Sequence, residues 1–252
     1  MHLDYLRCIS MSILYIVLLA FGASFVQRTT GFGFGIFIMT ALPFLMPSYG
    51  EATALSGLLA LTTSLFILIK YHKYVNWRRL LPILSIFIIT STAAICLLNR
   101  IEGKTMRIIL AVILILTSLY FCFFKDKIKE YIRPTFSWQI GAGTLSGIMG
   151  GLFGMQGPPA VLYFINSEPD KEHYIAMAQM YFVIGNLMMT AVRGLNGFLT
   201  QTVGEIYLYS LGGVIAGTLV GNWAFRHIPN KIFSYVVYAY IGISGLIILF
   251  TS

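Results

Sequence analysis

The chain has 252 residues, 58% of them hydrophobic and only 10% charged, with a mean hydropathy of +0.81. Soluble domains average about 45–50% apolar and about 25% charged residues, so this composition excludes a soluble globular protein and describes one built inside a bilayer. A net charge of +8 would suggest nucleic acid in a soluble chain, but here Lys and Arg cluster in short loops between apolar runs, as the positive-inside rule expects.

In chain order, apolar runs long enough to cross about 30 Å of hydrocarbon as helices are Ile9 to Val26, Ala52 to Ile69, Leu80 to Leu98 and Met106 to Phe124. Ile175 to Val192, Ile206 to Phe225 and Ile232 to Phe250 follow, and the shorter, glycine-rich run Trp138 to Phe153 makes an eighth. The fold class is therefore all-α, a polytopic membrane protein of about eight transmembrane helices. Arg7 before the first run has the look of a signal peptide, but that run has a counterpart in the second half, which argues for a retained helix.

An offset of 121 residues pairs Gly22 with Gly143, Phe32-Gly33 with Phe153-Gly154, and Glu51 with Glu172. Near the end of each half an offset of 127 pairs Lys104 with Lys231. The chain divides into a first transmembrane repeat at 1–124, a basic cytoplasmic linker at 125–137 and a second repeat at 138–252. Each half runs from an apolar helix into a glycine-rich break, a short apolar segment, a polar turn and three further helices. Such duplication is common among transporters.

Two basic loops, Lys70 to Arg79 and Lys125 to Arg133, set both on the cytoplasmic side. Alternation then places the acidic turn Ser167 to Glu172 outside, both termini in the cytoplasm and the two halves in the same orientation. Gly157 to Ile165 is only about 13 Å of helix and cannot span, so each break is expected to form a re-entrant or broken-helix hairpin. A crossing by Gly31 to Pro47 would instead invert one half relative to the other. The setting is a prokaryotic inner membrane.

Unwound backbone at membrane depth must be covered by protein or line a water-filled cavity. The breaks carry Gly31, Gly33 and Gly35 in the first half, and Gly150, Gly151, Gly154 and Gly157 in the second, before Pro158 and Pro159 restart a helix. A helix start favours anions. Gly143, Gly147 and Gly151, and likewise Gly213, Gly217 and Gly221, have the spacing-four pattern of close helix packing.

Of the seventeen Lys and Arg residues, only Arg28 and Arg193 fall away from loops and clear helix ends. An intramembrane cation is costly and points to function, so both are expected to face an anionic substrate. Arg193, near a helix end, has snorkelling as its alternative. Thr29, Thr30, Gln156 and Asn186 are candidate hydrogen-bonding partners, with Phe32 and Phe34 as cavity wall or gate. Gln179 is another polar residue in apolar surroundings, where bridging between helices is the alternative role.

His2, His72, His173 and His227 lack ligand spacing to one another, and Cys8, Cys96 and Cys122 form no metal or redox motif. No metal site and no cofactor are expected. No GxxxxGKS loop occurs, which argues against direct ATP drive. An intramembrane enzyme would need converging nucleophile, base or metal ligands, and neither an HExxH motif nor paired intramembrane carboxylates occur.

Gly22 to Pro43 with Glu51-Ala-Thr-Ala, Val75-Asn-Trp77, and Gly143 to Pro159 together resemble the TauE/SafE (TSUP) sulfite exporter family across nearly the whole chain. The family's usual break has adjacent glycines before a proline; here phenylalanines space Gly31, Gly33 and Gly35, and Gln156 interrupts the second set. The resemblance implies a secondary transporter of a small, often sulfur-containing anion such as sulfite or a sulfonate, with an anion channel as the nearest alternative. The implied partners are the anion and the lipid bilayer. Protons are the coupling ion to consider, uniport and proton symport both fit, and a homo-oligomer is an open option.

Overall fold

The computed structural model describes residues 2–98, 100–124, 135–227 and 230–251, with side chains described from 13 to 224 and 239 to 250 apart from positions 99, 121 and 124–134. The described residues contain helices and no strands. The first half comprises α1 (His2–Thr30), two short helices α2 (Phe34–Ile38) and α3 (Leu42–Leu45), then α4 (Tyr49–Tyr71), α5 (Trp77–Leu98) and α6 (Gly103–Leu119), which ends in a π turn at Tyr120–Phe124. The second half comprises α7 (Phe136–Phe153), the short α8 (Gly157–Ser167), α9 (Lys171–Leu195), α10 (Gln201–His227) and α11 (Asn230–Thr251).

These helices cover all eight apolar runs. Five candidate spans are long and apolar enough to cross a bilayer: Ile13–Thr30, Tyr49–Tyr74, Trp77–Leu98, Lys171–Leu195 and Gln201–Ala224. Positions 125–134 of the basic linker lie outside the described residues.

Local chemistry sets the helix starts. Ser48 and Glu51 form a reciprocal capping box at α4, in which the Glu51 N–H donates to the Ser48 hydroxyl at 3.1 Å and the Ser48 N–H to the Glu51 carboxylate at 3.1 Å. Asp170 caps α9 by accepting from the His173 N–H at 2.9 Å. That bond and the adjacent His173 ring hold the Asp170 carboxyl below its ordinary range.

The glycine stripes set the packing directions. Gly213, Gly217 and Gly221 of α10 lie against Val17, Phe21 and Phe25 of α1 in increasing order, so these helices run parallel with their backbones in contact. Gly143, Gly147 and Gly151 of α7 lie in the same way against Ile83, Phe87 and Ser91 of α5. Any Cβ in these stripes would run into its neighbour's backbone, which confirms the packing role read from the spacing.

The helices α4 and α9 run antiparallel: Gly50 meets Phe198 just beyond α9, Gly57 meets Thr190 and Arg193, and the Asn76 N–H beyond α4 donates to Met177 Sδ at 3.3 Å. Likewise α11 is antiparallel to α6, with Gly242 against Ser118 and Gly245 against Ala111 and Ile115. Large contacts recur in pairs, α1 with α10 as α7 with α5, and α10 with α4 as α5 with α9.

These directions correct the orientation expected from the sequence. The α1–α3 hairpin returns to the face from which α1 starts, and α4 to α6 follow it, as α9 to α11 follow the α7–α8 hairpin in the second half. Corresponding helices of the two halves then point in opposite directions. The acidic turn is not across the membrane from the first basic loop, because Arg79 Nη1 donates to the Ser167 carbonyl at 3.1 Å and lies 3.6 Å from the Glu168 carboxylate. On the opposite face, where α1 begins and α11 ends, Tyr49 lies against Gly103.

Candidate functional site

The first break follows from conformations that only glycine adopts cheaply. Gly31 has φ +87° and Gly33 φ +99°, in the left-handed region where a Cβ is strained. Thr29 and Thr30 are spent on this helix end. The Thr29 hydroxyl lies 2.8 Å from Phe25 O, and that of Thr30 lies 2.9 Å from Val26 O and 2.6 Å from Phe32 O. The opened Gly31 carbonyl accepts from Gln179 Nε2 at 2.8 Å, while Gln27 Nε2 donates to Ser64 Oγ at 2.7 Å and to Gln179 Oε1 at 3.1 Å. The two amides thus stitch the broken end of α1 to α4 and α9.

The second break closes α7 with an αL cap. Gly154 has φ +68°, its N–H donates to Gly150 O at 3.0 Å, and the Met155 N–H donates to Met149 O at 3.3 Å. The chain restarts at Gly157-Pro158-Pro159 with prolines in the first turn, where their missing N–H groups cost nothing. Those prolines also remove donors from the helix start, leaving it less anion-attracting than an ordinary N-terminus. Ser146 Oγ donates to the Gln156 carbonyl and accepts from the Tyr181 hydroxyl at 2.9 Å. The Gln156 side chain remains half-used, since Oε1 is buried without a partner.

The fold brings the two breaks into direct contact. A Cβ on Gly35 would overlap the Gly154 carbonyl, and one on Gly157 would lie 3.5 Å from the Phe32 ring. Between them sits a cavity of about 20 Å³, with half its wall polar, lined by Gln27, Gly33, Phe34, Gly35, Gly154, Gln156, Gly157, Phe182 and Asn186 among others. That volume holds about one water molecule.

Of the residues expected at the site, Gly33, Phe34, Gly35, Gly154, Gln156, Gly157 and Asn186 line this cavity, and Phe32 packs beside it. Thr29, Thr30 and Gly31 build the break without lining the cavity. Arg28 points elsewhere: its Nη2 donates to Asn222 Oδ1 of α10 at 2.6 Å. Arg193 is fully buried beside the second break, donating from Nη2 to the Gly150 carbonyl at 2.8 Å.

Gln27, Phe182 and Ala60 are lining residues that the sequence reading missed. Gln27 carries a usable signal, an amide one turn before a glycine break in an apolar helix. Phe182 and Ala60 carry none, because an aromatic and a small residue are ordinary in such helices. Among the described residues no cluster of His, Cys, Asp and Glu is arranged to hold a metal ion.

A family model described as Sulfite exporter TauE/SafE matches residues 16–248. No curated protein and no solved structure matches the chain.

Proposed function

The chain belongs to the sulfite exporter TauE/SafE family of membrane transporters, and from that premise we propose that it is a secondary transporter of a small sulfur-containing anion, sulfite or a sulfonate, bound where the two helix breaks meet. The observation that carries this reading is the contact of Gly35 with the Gly154 carbonyl, which closes two interrupted helices around a half-polar cavity. Gln156 Oε1 has no partner there. Both Gln27 Nε2 hydrogens are given to Ser64 and Gln179, so the cavity's amide N–H donors for an oxyanion are those of Gln156, held only at 3.5 Å from the Phe182 carbonyl, and Asn186. A cavity of about 20 Å³ is smaller than such an anion, so binding requires the breaks to part. That favours a carrier passing through a closed state over an open channel.

The opposed directions of corresponding helices support an inverted repeat, with the site on its pseudo-two-fold axis. They also re-sort the charges. Lys70, Lys73, Arg78, Arg79 and Lys171 fall on one face, the face on which α6 ends and α7 begins. Arg100, Lys104 and Arg107 fall on the other, with the termini. The positive-inside rule then sets the basic face in the cytoplasm and both termini outside, reversing the placement read from the sequence.

Flux of radiolabelled sulfite into proteoliposomes tests the proposal. The expected result is uptake that saturates and is accelerated by sulfite loaded on the opposite side. Flux linear in concentration at channel-like rates would sink the carrier reading.

A further inference from the structure

Arg193 stands in the last turn of α9 at 0% exposure. Its Nη2 donates to the Gly150 carbonyl at 2.8 Å and reaches the Gly151 carbonyl at 3.3 Å. The Gly150 carbonyl also accepts from the Gly154 N–H, and the Gly151 carbonyl is one that the end of α7 leaves open, so this nitrogen serves the second break. Nε and Nη1 have no partner, and among the described residues no carboxylate pairs with this guanidinium.

The groups around it are also open. Thr190 Oγ1, Ser56 Oγ and the Tyr49 hydroxyl are buried and without hydrogen-bond partners. Gly57 is the common neighbour: a Cβ there would lie 3.0 Å from Arg193 Nη1, 3.5 Å from Thr190 Oγ1 and 3.9 Å from Asn186 Oδ1. Ser56, next on α4, faces Gly154 at the break, and Tyr49 is close enough to Arg193 to interact with it electrostatically. Buried polar groups in folded proteins are nearly all paired. Open hydroxyls of Thr190 and Tyr49 beside one half-used cation, with that of Ser56 nearer the break, match a partner that is negative and has several acceptor atoms.

A vestibule shares Tyr49 with this place. It lies on the face that holds the termini, has a volume of about 380 Å³ and is lined by Ser48, Tyr49, Gly50, Arg107 and Phe198 among others, and much of its surface is polar. Tyr49 and Phe198 form part of its wall. The Phe198 ring fills the space that a Cβ on Gly50 would take, and the Phe198 N–H donates to the Arg193 carbonyl at 3.0 Å.

We propose that Arg193, with Thr190, Ser56 and Tyr49, forms an anion position distinct from the cavity between the breaks, and that a small oxyanion reaches it from the vestibule when Tyr49 and Phe198 part. The position rests on the transporter reading above and adds to it the cation, the polar shell and the entrance. Asn186, two helical turns before Arg193 on α9, joins it to the cavity between the breaks. Arg28, bonded to Asn222, has no part in it.

The test is binding of radiolabelled sulfite and thiosulfate to the purified full-length protein in lipid nanodiscs, with melting curves in anion-free buffer. Gly57→Ala sets a methyl in front of Nη1 while sparing the Arg193 bonds to α7. It is expected to weaken binding about tenfold or more, the order of one charge-assisted hydrogen bond, with little change in melting temperature. Thr190→Val is expected to weaken it similarly, and Arg193→Lys to retain more binding than Arg193→Gln. If Arg193→Gln fails to fold, Gly57→Ala and Thr190→Val still decide. Wild-type affinity in both of these overturns the Arg193 position and leaves the transporter reading standing. Failure of the wild-type protein to bind sulfite, thiosulfate or, in the same assay, the sulfonate sulfoacetate overturns both.

Discussion

Gly35→Ala places one methyl group where the two breaks touch. Gly35 is a helical residue without a positive φ, so alanine suits its backbone and would ordinarily gain about 0.5–1 kcal/mol there. Its Cβ, however, overlaps the Gly154 oxygen and lies 3.0 Å from the Gly154 carbon and 3.1 Å from Met155 Cα. All three atoms are backbone, and carbon atoms pack best at about 3.5–4.0 Å, so the breaks must separate by roughly 0.5 Å or more. Overpacking of this kind costs about 1–3 kcal/mol and occasionally more, which outweighs the helix gain. With a chain of this length losing about 2–4 °C per kcal/mol, a fall of about 5 °C is expected in a thermal melt of the detergent-purified protein, together with loss of sulfite uptake. Gly204→Ala and Gly212→Ala are the controls, because a Cβ at either meets nothing within 4 Å, and they should melt at or above the wild-type temperature. A Gly35→Ala protein that melts and transports like these controls would refute direct contact between the breaks.

Gln179→Leu removes the donor to Gly31 and the acceptor for Gln27; it should cost about 1–3 kcal/mol for the stranded polar groups, read as a lower melting temperature. Arg28→Ala should lose stability through its bond to Asn222, about 1.5–3 kcal/mol for a charged hydrogen bond, and bind sulfite as tightly as the wild type; a folded variant with reduced affinity would show that its charge reaches the ligand. Ser48→Ala breaks the α4 capping box and should cost about 1 kcal/mol, visible in the same melts. Single cysteines in a background lacking Cys8, Cys96 and Cys122 test the topology: a membrane-impermeant maleimide on intact cells should label position 252 and spare position 129, and the reverse pattern would overturn the assignment of faces.

The membrane setting, the helices and the two breaks could be read from the order of residues alone. Each of these is a local property: an apolar run long enough for hydrocarbon, or a glycine at φ +87° or +99° that no other residue adopts cheaply. Tertiary structure decided where the side chains between them point. Neighbouring residues of a helix are about 100° apart around its axis, so when Gly213, Gly217 and Gly221 seat α10 on α1, Gln27 turns to the cavity and Arg28 to Asn222. The intramembrane charge was legible in the sequence, but its partner was not. The directions of the halves were hidden for a similar reason, since hydropathy reads the same along a helix in either sense. Only contacts distant in sequence, Gly57 with Arg193, Gly35 with Gly154 and Arg79 with Glu168, set α4 against α9, brought the breaks together and put the acidic turn on the basic face.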